Sequence, residues 1–332
     1  MSRQCVRLLL VAAILVAFPF VAPAPLIYRP GEGWTYEPAG GEGKWVQARA
    51  KDQLEVAQAA FDKRAYSLAL KAARRVVQVW PLSDYAPKAH YLLARCYEAK
   101  GMDERAFNEY QTMLEKYPKV ANYEEILERQ YQITNKYLAG EWFRLWNYVP
   151  VPPWISAAMD RTASMYEKVV KNGPYSDVGP QAQMKVGTTR DKQADYPQAV
   201  KAYELAADRY NDRPQVAADA IFHAGLSHQK EAQGAEYDQG AAGKAIASFT
   251  EFITLYPNDS RVPEAQKIIA SLKREQARGS FETAKFYERY RRWNGALVYY
   301  NEVLVQDPES PYAAAARQRL DELKRRTQQA SK

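Results

Sequence analysis

The chain has 332 residues, 47% of them apolar and 26% charged, with a formal net charge of +7. That balance excludes a disordered or collagen-like chain and supports a folded core. If the leader described next is removed, Cys96 is the one cysteine left, which excludes an internal disulfide framework.

Residues 1–24 have the layout of a secretory signal. Arg3 and Arg7 precede an apolar run at 8–16, and Ala22-Pro23-Ala24 resembles a small-residue cleavage site. The run is short for a membrane span. Pro25 directly after the cut is unfavourable, so an uncleaved membrane anchor stays open. Cys5 precedes the apolar run, so no lipid-attachment box is legible. Residues 25–48 are rich in Gly and Pro and lack helical periodicity, and they read as an extended, mostly disordered tether. Trp34, Tyr36 and Trp45 within it could dock on the first repeat or on a partner.

Residues 49–330 read as one solenoid. An aromatic position recurs at Tyr110, Tyr166, Tyr203, Phe249 and Tyr300, with Ala73 in a weaker first copy. Four places earlier stand Ala69, Ala106, Thr162, Ala199, Ala245 and Ala296. Eight places later stand Pro81, Pro118, Pro174, Asn211, Pro257 and Pro308. Two of the steps are 37 residues and the others are 46, 51 and 56, which fits a unit of ~34 residues with insertions. The predicted fold is therefore all-α, a tetratricopeptide (TPR) helical-hairpin solenoid of five to six repeats closed by a C-terminal capping helix.

In chain order, repeat 1 spans about 50–83, with Phe61, Ala65, Tyr66, Ala69 and Val76-Val77 inward. Repeat 2, at 84–118, follows Ser83-Asp84, which read as capping residues. Cys96 falls on its apolar stripe beside Leu92 and Leu93, as a small core residue. Repeat 3 is interrupted at 140–156 by Trp142, Phe143, Trp146, Tyr148 and Trp154, where Pro150, Pro152 and Pro153 prevent regular helix. Either these aromatics fold back on the solenoid, or they form an exposed patch for a protein partner or a membrane interface. Repeat 4 occupies about 180–213. Repeat 5 has its turn enlarged by 234–242, read as a polar, Gly-rich loop with no apolar anchor. Repeat 6 has a long lead-in from Pro263, and an amphipathic helix from Tyr312 to about Arg326 supplies the cap. The basic clusters at 271–292 and 317–326 read first as solvated helix faces.

Catalytic, cofactor and metal motifs are not legible. His223 and His228 are five apart, ~140° out of register on a helix and a poor metal pair. The run at 240–245 lacks the remaining glycine and the Ser/Thr of a phosphate loop. No G-x-S-x-G nucleophile motif occurs, and the reading is a protein that is not an enzyme, with no cofactor and no metal.

The stretches 65–118 and 281–320, with the junction Trp80-Pro81-Leu82-Ser83-Asp84-Tyr85-Ala86, resemble the BamD family of outer-membrane assembly proteins. The resemblance covers most of 50–325. It implies an exported, periplasm-facing scaffold at the outer membrane of a Gram-negative-type bacterium. Its implied partners are the β-barrel assembly machinery or unfolded barrel substrates, with membrane-surface contact possible and neither nucleic acid nor a small-molecule substrate expected. A periplasmic adaptor for cell division or envelope maintenance, or a regulatory subunit of a peptidoglycan enzyme, is the alternative. First helices of TPR hairpins line the binding face, which singles out Lys88, Tyr91 and Arg95 in repeat 2 as partner contacts, alongside Trp142, Trp146 and Trp154.

Overall fold

The structure is a computed structural model, and it describes residues 26–29, 33–36, 45–145, 149–152, 155–234 and 239–330. The proposed leader at 1–24 lies outside the described residues. No described helix is long and apolar enough to cross a membrane. The fold is an all-α TPR-type solenoid, dividing into two compact units, 1–113 and 114–332.

The first unit begins with a short antiparallel pair, β1 (Leu26–Arg29) and β2 (Gly33–Tyr36), with Leu26 opposite Tyr36. The stretch read as an extended, mostly disordered tether thus holds a hairpin with strands at 26–29 and 33–36. Its branched and aromatic residues, Ile27, Tyr28, Trp34 and Thr35, favour strand over coil. Residues 45–47 are tied to the first repeat by buried Gln53. Its Oε1 accepts from the Gln47 amide at 2.8 Å, and its Nε2 donates to the Trp45 carbonyl at 3.0 Å. Then come α1 (Ala50–Asp62), α2 (Tyr66–Val79), α3 (Ala86–Ala99) and α4 (Asp103–Lys116), the last of which runs across the unit boundary. Helices α1, α2 and α3 pack on one another.

The second unit continues with α5 (Tyr123–Ala139), a short antiparallel pair β3 (Phe143–Leu145) and β4 (Val149–Val151), and α6 (Ser156–Asn172). After these come α7 (Gly179–Lys192), α8 (Tyr196–Arg209), α9 (Pro214–Gly234) and α10 (Gln239–Leu255). The chain closes with α11 (Val262–Arg289), α12 (Trp293–Gln306) and α13 (Ala313–Ala330). From α5 onward each helix packs on the next.

The recurring aromatic is the centre of each hairpin. Tyr110, Tyr166, Tyr203, Phe249 and Tyr300 are all at most 2% exposed, and the small residues four places earlier are buried without exception. A buried phenol needs a partner, and each one has it. Tyr110 donates to Glu98, Tyr166 to Asn135, Tyr203 to Thr188 and Tyr300 to Glu288, over 2.6–3.3 Å. Where the repeat carries Phe249, Leu226 joins the surrounding cluster and no acceptor is required. The rings lie close on the preceding helix because of glycine. A Cβ on Gly187 would come within 2.5 Å of the Tyr203 ring, and one on Gly225 within 3.0 Å of Phe249.

Two backbone devices repeat with the hairpins. Two residues before the second helix, Arg64, Gly101, Ala194 and Arg291 all adopt left-handed φ between 56° and 66°. Between hairpins, the amides of Ser83, Ser176, Asp259 and Ser310 each donate to the carbonyl three residues earlier. The same four residues' carbonyls then accept the amide that opens the next helix. The prolines at 81, 174, 257 and 308 sit one place into this turn, where no amide donor is used.

This turn corrects the reading of Ser83-Asp84 as helix caps. Helix α3 starts at Ala86 after Tyr85 with no side-chain cap, and the Ser83 hydroxyl instead donates to the Trp80 carbonyl at 2.9 Å. A second correction concerns 234–242. Residues 239–242 are the first turn of α10, and Ala241 and Ala242 are buried, with Ala242 against Leu272. Packing of that alanine face outweighs the poor helix propensity of Gly240 and Gly243.

Candidate partner-binding surfaces

On α3 the predicted contacts Lys88, Tyr91 and Arg95 follow helical spacing. Lys88 is exposed, and Tyr91 and Arg95 are half-buried. Arg95 is held within its own unit. Its guanidinium donates to the Tyr91 hydroxyl at 3.1 Å, pairs with Glu98 at 3.4 Å, and lies 5.8 Å from the Phe61 ring centre. Tyr91 in turn tilts against Tyr110, with ring centres 6.1 Å apart. The guanidinium and the phenol therefore present one pre-positioned pair at the edge of repeat 2. Cys96, one residue on, is fully buried, and burial pushes its thiol up to about 11.

The insertion in repeat 3 divides by residue. Phe143 is core. It stacks on Tyr137 at 3.9 Å with the rings 7° from parallel, and Arg161 lies 5.3 Å from its ring centre. Trp142, one place earlier, is 45% exposed. Trp146 and Trp154 lie outside the described residues. The three histidines serve packing and pairing: His90 contacts Glu109 at 2.9 Å, His223 stacks on Tyr203 at 5.4 Å, and His228 contacts Glu231 at 3.4 Å.

One cavity was not foreseen from the sequence. It measures about 480 Å³ and is formed by α11, α12 and α13, with Phe281, Lys285, Arg289, Trp293 and Arg319 on its walls. Glu288 at its base accepts from Tyr300 at 2.8 Å and pairs with Arg319 at 2.6 Å. Burial, with the hydrogen bond to Glu288 second, pushes the Tyr300 phenol up to about 12. Beside it, Phe286 on α11 and Tyr290 directly after that helix are 54% and 62% exposed and pack on each other with ring centres 4.7 Å apart. Cationic and aromatic groups side by side suit protein recognition. The sequence signal was present as Phe286 and Tyr290 at i, i+4 within the basic run 271–292, on the side away from buried Ala284. Read as a solvated face, that run concealed the pocket.

Helical hairpins stacked around small and aromatic residues, with aromatic and charged groups left at their edges, define a TPR protein-interaction scaffold. A tetratricopeptide repeat model matches residues 88–119, and a model named YfiO, described as outer membrane lipoprotein, matches residues 155–330. The chain belongs to this YfiO outer-membrane-lipoprotein family, in line with the BamD-like resemblance of its repeats. No curated protein sequence matches it. Among solved structures, it is similar to the C-terminal part of a TPR protein from Cytophaga hutchinsonii. That match has 15% identity over 81% of this chain and 87% of the other, with a TM-score of 0.34. A TPR protein from Parabacteroides merdae matches at 11% identity over 82% and 98%, TM-score 0.32, and one from Thermus thermophilus at 15% over 66% and 98%, TM-score 0.29.

Proposed function

We propose that the chain is a non-enzymatic, exported scaffold that works on the periplasmic side of the outer membrane. There it assists the assembly and insertion of β-barrel proteins by binding protein partners. The observation that carries this reading is the family match over 155–330, which contains the aromatic and cationic pocket of the last repeat. The contacts assigned to it are the Lys88, Tyr91 and Arg95 edge of repeat 2 and the tryptophans Trp142, Trp146 and Trp154 of the insertion. The edge pair suits an extended segment that offers a carboxylate to the guanidinium and an aromatic side chain to Tyr91.

Affinity capture with the tagged full chain from detergent-solubilised envelopes tests the proposal. Recovery of a β-barrel insertion pore protein, reduced by Tyr91→Ala with Arg95→Ala, is the expected result. Recovery of peptidoglycan synthases alone would sink it and leave the reading of a regulatory subunit of a peptidoglycan enzyme.

A further inference from the structure

Repeats 4 and 5 carry a second concavity, of about 430 Å³, bounded by α8 and α10 with α9 as its floor. It opens between two second helices rather than along the first-helix face on which TPR peptides are expected. Ala217, Ile221 and Ala224 make the floor, and Leu255, 55% exposed, lies on the α10 wall. Along the rim stand Glu204 and Asp208, one helical turn apart on α8, and Glu251 on α10. All three carboxylates are exposed, and no Lys or Arg among the described residues lines the groove.

These acids differ from their neighbours. Asp191 is paired with Lys230, and Asp219 and Asp259 are both paired with Arg261. Among the described residues, Glu204, Asp208 and Glu251 have no ion pair, in a chain whose formal net charge is +7. An apolar strip flanked by three unneutralised carboxylates has the complement of a cationic amphipathic segment. Anionic lipid and nucleic acid are repelled by the same charges. A metal site does not fit either, since no group of three His, Cys, Asp or Glu among the described residues could hold an ion.

We infer that this groove docks a cationic amphipathic helix of a partner protein. Apolar side chains of that helix lie over Ile221 and Leu255, and its Lys or Arg side chains reach Glu204, Asp208 and Glu251. The site is independent of the barrel-assembly reading, because it rests on the shape and charge of α8–α10 alone.

The test uses the full chain and a fluorescein-labelled peptide of Leu and Lys at amphipathic helical spacing, followed by anisotropy near physiological salt. The triple variant Glu204→Lys/Asp208→Lys/Glu251→Lys is expected to weaken binding by at least about tenfold. The control Glu124→Lys/Asp177→Lys/Glu309→Lys changes net charge equally at exposed sites and is expected to lose no more than about threefold, long-range attraction being screened at that salt. A peptide with Ser in place of Leu is expected to bind at least about tenfold more weakly. Equal losses in the two triple variants would reduce the effect to net charge, and an undiminished Ser peptide would remove the apolar floor from it. Concentration-dependent dimerisation abolished by the first triple variant would make a second copy the occupant. Each of these three results overturns the inference. Circular dichroism and a urea midpoint confirm that the triple variant folds; if it does not, the single variant Glu251→Lys carries the same comparison.

Discussion

Gly187→Ala is the sharpest test of how the hairpins are packed. Alanine is the better helix former, so in an open helix the change gains about 1 kcal/mol. Here the new Cβ would meet Tyr203 Cε1 at 2.5 Å and Cδ1 and Cζ at 2.7 Å. Tyr203 is 2% exposed, its ring stacks on His223, and its hydroxyl donates to Thr188. It cannot rotate clear, so the helices must separate. Overpacking of this kind costs about 1–3 kcal/mol, and a 2.5 Å approach to a pinned ring belongs at the upper end. The net expectation is a loss of about 2 kcal/mol. A urea midpoint measures it, and amide exchange across α7 and α8 shows that it is local, since repeat arrays need not unfold in one step. In a Tyr203→Leu background the sign should reverse, because the clash is gone and the propensity gain remains. A wild-type background in which Gly187→Ala is neutral or stabilising refutes the packing argument. Gly225→Ala, with a 3.0 Å approach to Phe249, should cost visibly less.

Four further outcomes are expected. Ala194 holds left-handed φ at 59°, so Ala194→Gly should stabilise by about 0.5–1 kcal/mol in urea melts, whereas Gly101→Ala at the matching turn should destabilise by about 1 kcal/mol. Phe143→Ala removes a buried ring stacked on Tyr137 and should cost about 3 kcal/mol by the same measurement, while Trp142→Ala should cost under about 1 kcal/mol. Arg261→Met breaks pairs to Asp219 at 2.6 Å and Asp259 at 2.8 Å and should lower stability by about 2 kcal/mol, with Arg261→Lys recovering only part because a single ammonium cannot hold both carboxylates in the same fork. Burial holds His223 below its ordinary 6.5, so the unfolded chain takes up that proton first. Its contribution is therefore complete above about pH 6.5 and is lost as pH falls below it, and His223→Phe should flatten that part of the stability profile.

Much of the repeat architecture was legible because it rests on side-chain size. Ala106, Ala199, Ala245 and Ala296 are small where two helices touch, and the aromatic four places on fills the space between them. The prolines at 81, 174, 257 and 308 were legible as stops because they cannot donate. What escaped depends on contacts that a linear pattern does not carry. Ser83 looked like a cap, but its hydroxyl closes the turn behind it. The 239–242 stretch looked like loop because glycine weakens helices, and the packing that keeps Ala242 helical comes from a cluster with Leu272 and Ile268, about 30 residues on. Within the insertion, Trp142 and Phe143 are adjacent in sequence and opposite in environment, a division set by Tyr137 and Arg161 on the flanking helices. The terminal pocket draws on three helices spread over about 40 residues, so its residues never form a motif.

Helix α11 has a mechanical consequence. Its first half, through Ala265 and Leu272, belongs to the packing of repeat 5, and its second half, through Ala277 and Ala284, is the first helix of repeat 6. Its 28 residues make a strut about 42 Å long with no loop in which the two repeats could flex apart. A pull or push on the aromatic end near Phe286 is thus delivered along a rigid lever to Phe252 and the helices of repeat 5. A partner seated on the last repeat would feel the load state of the one before it.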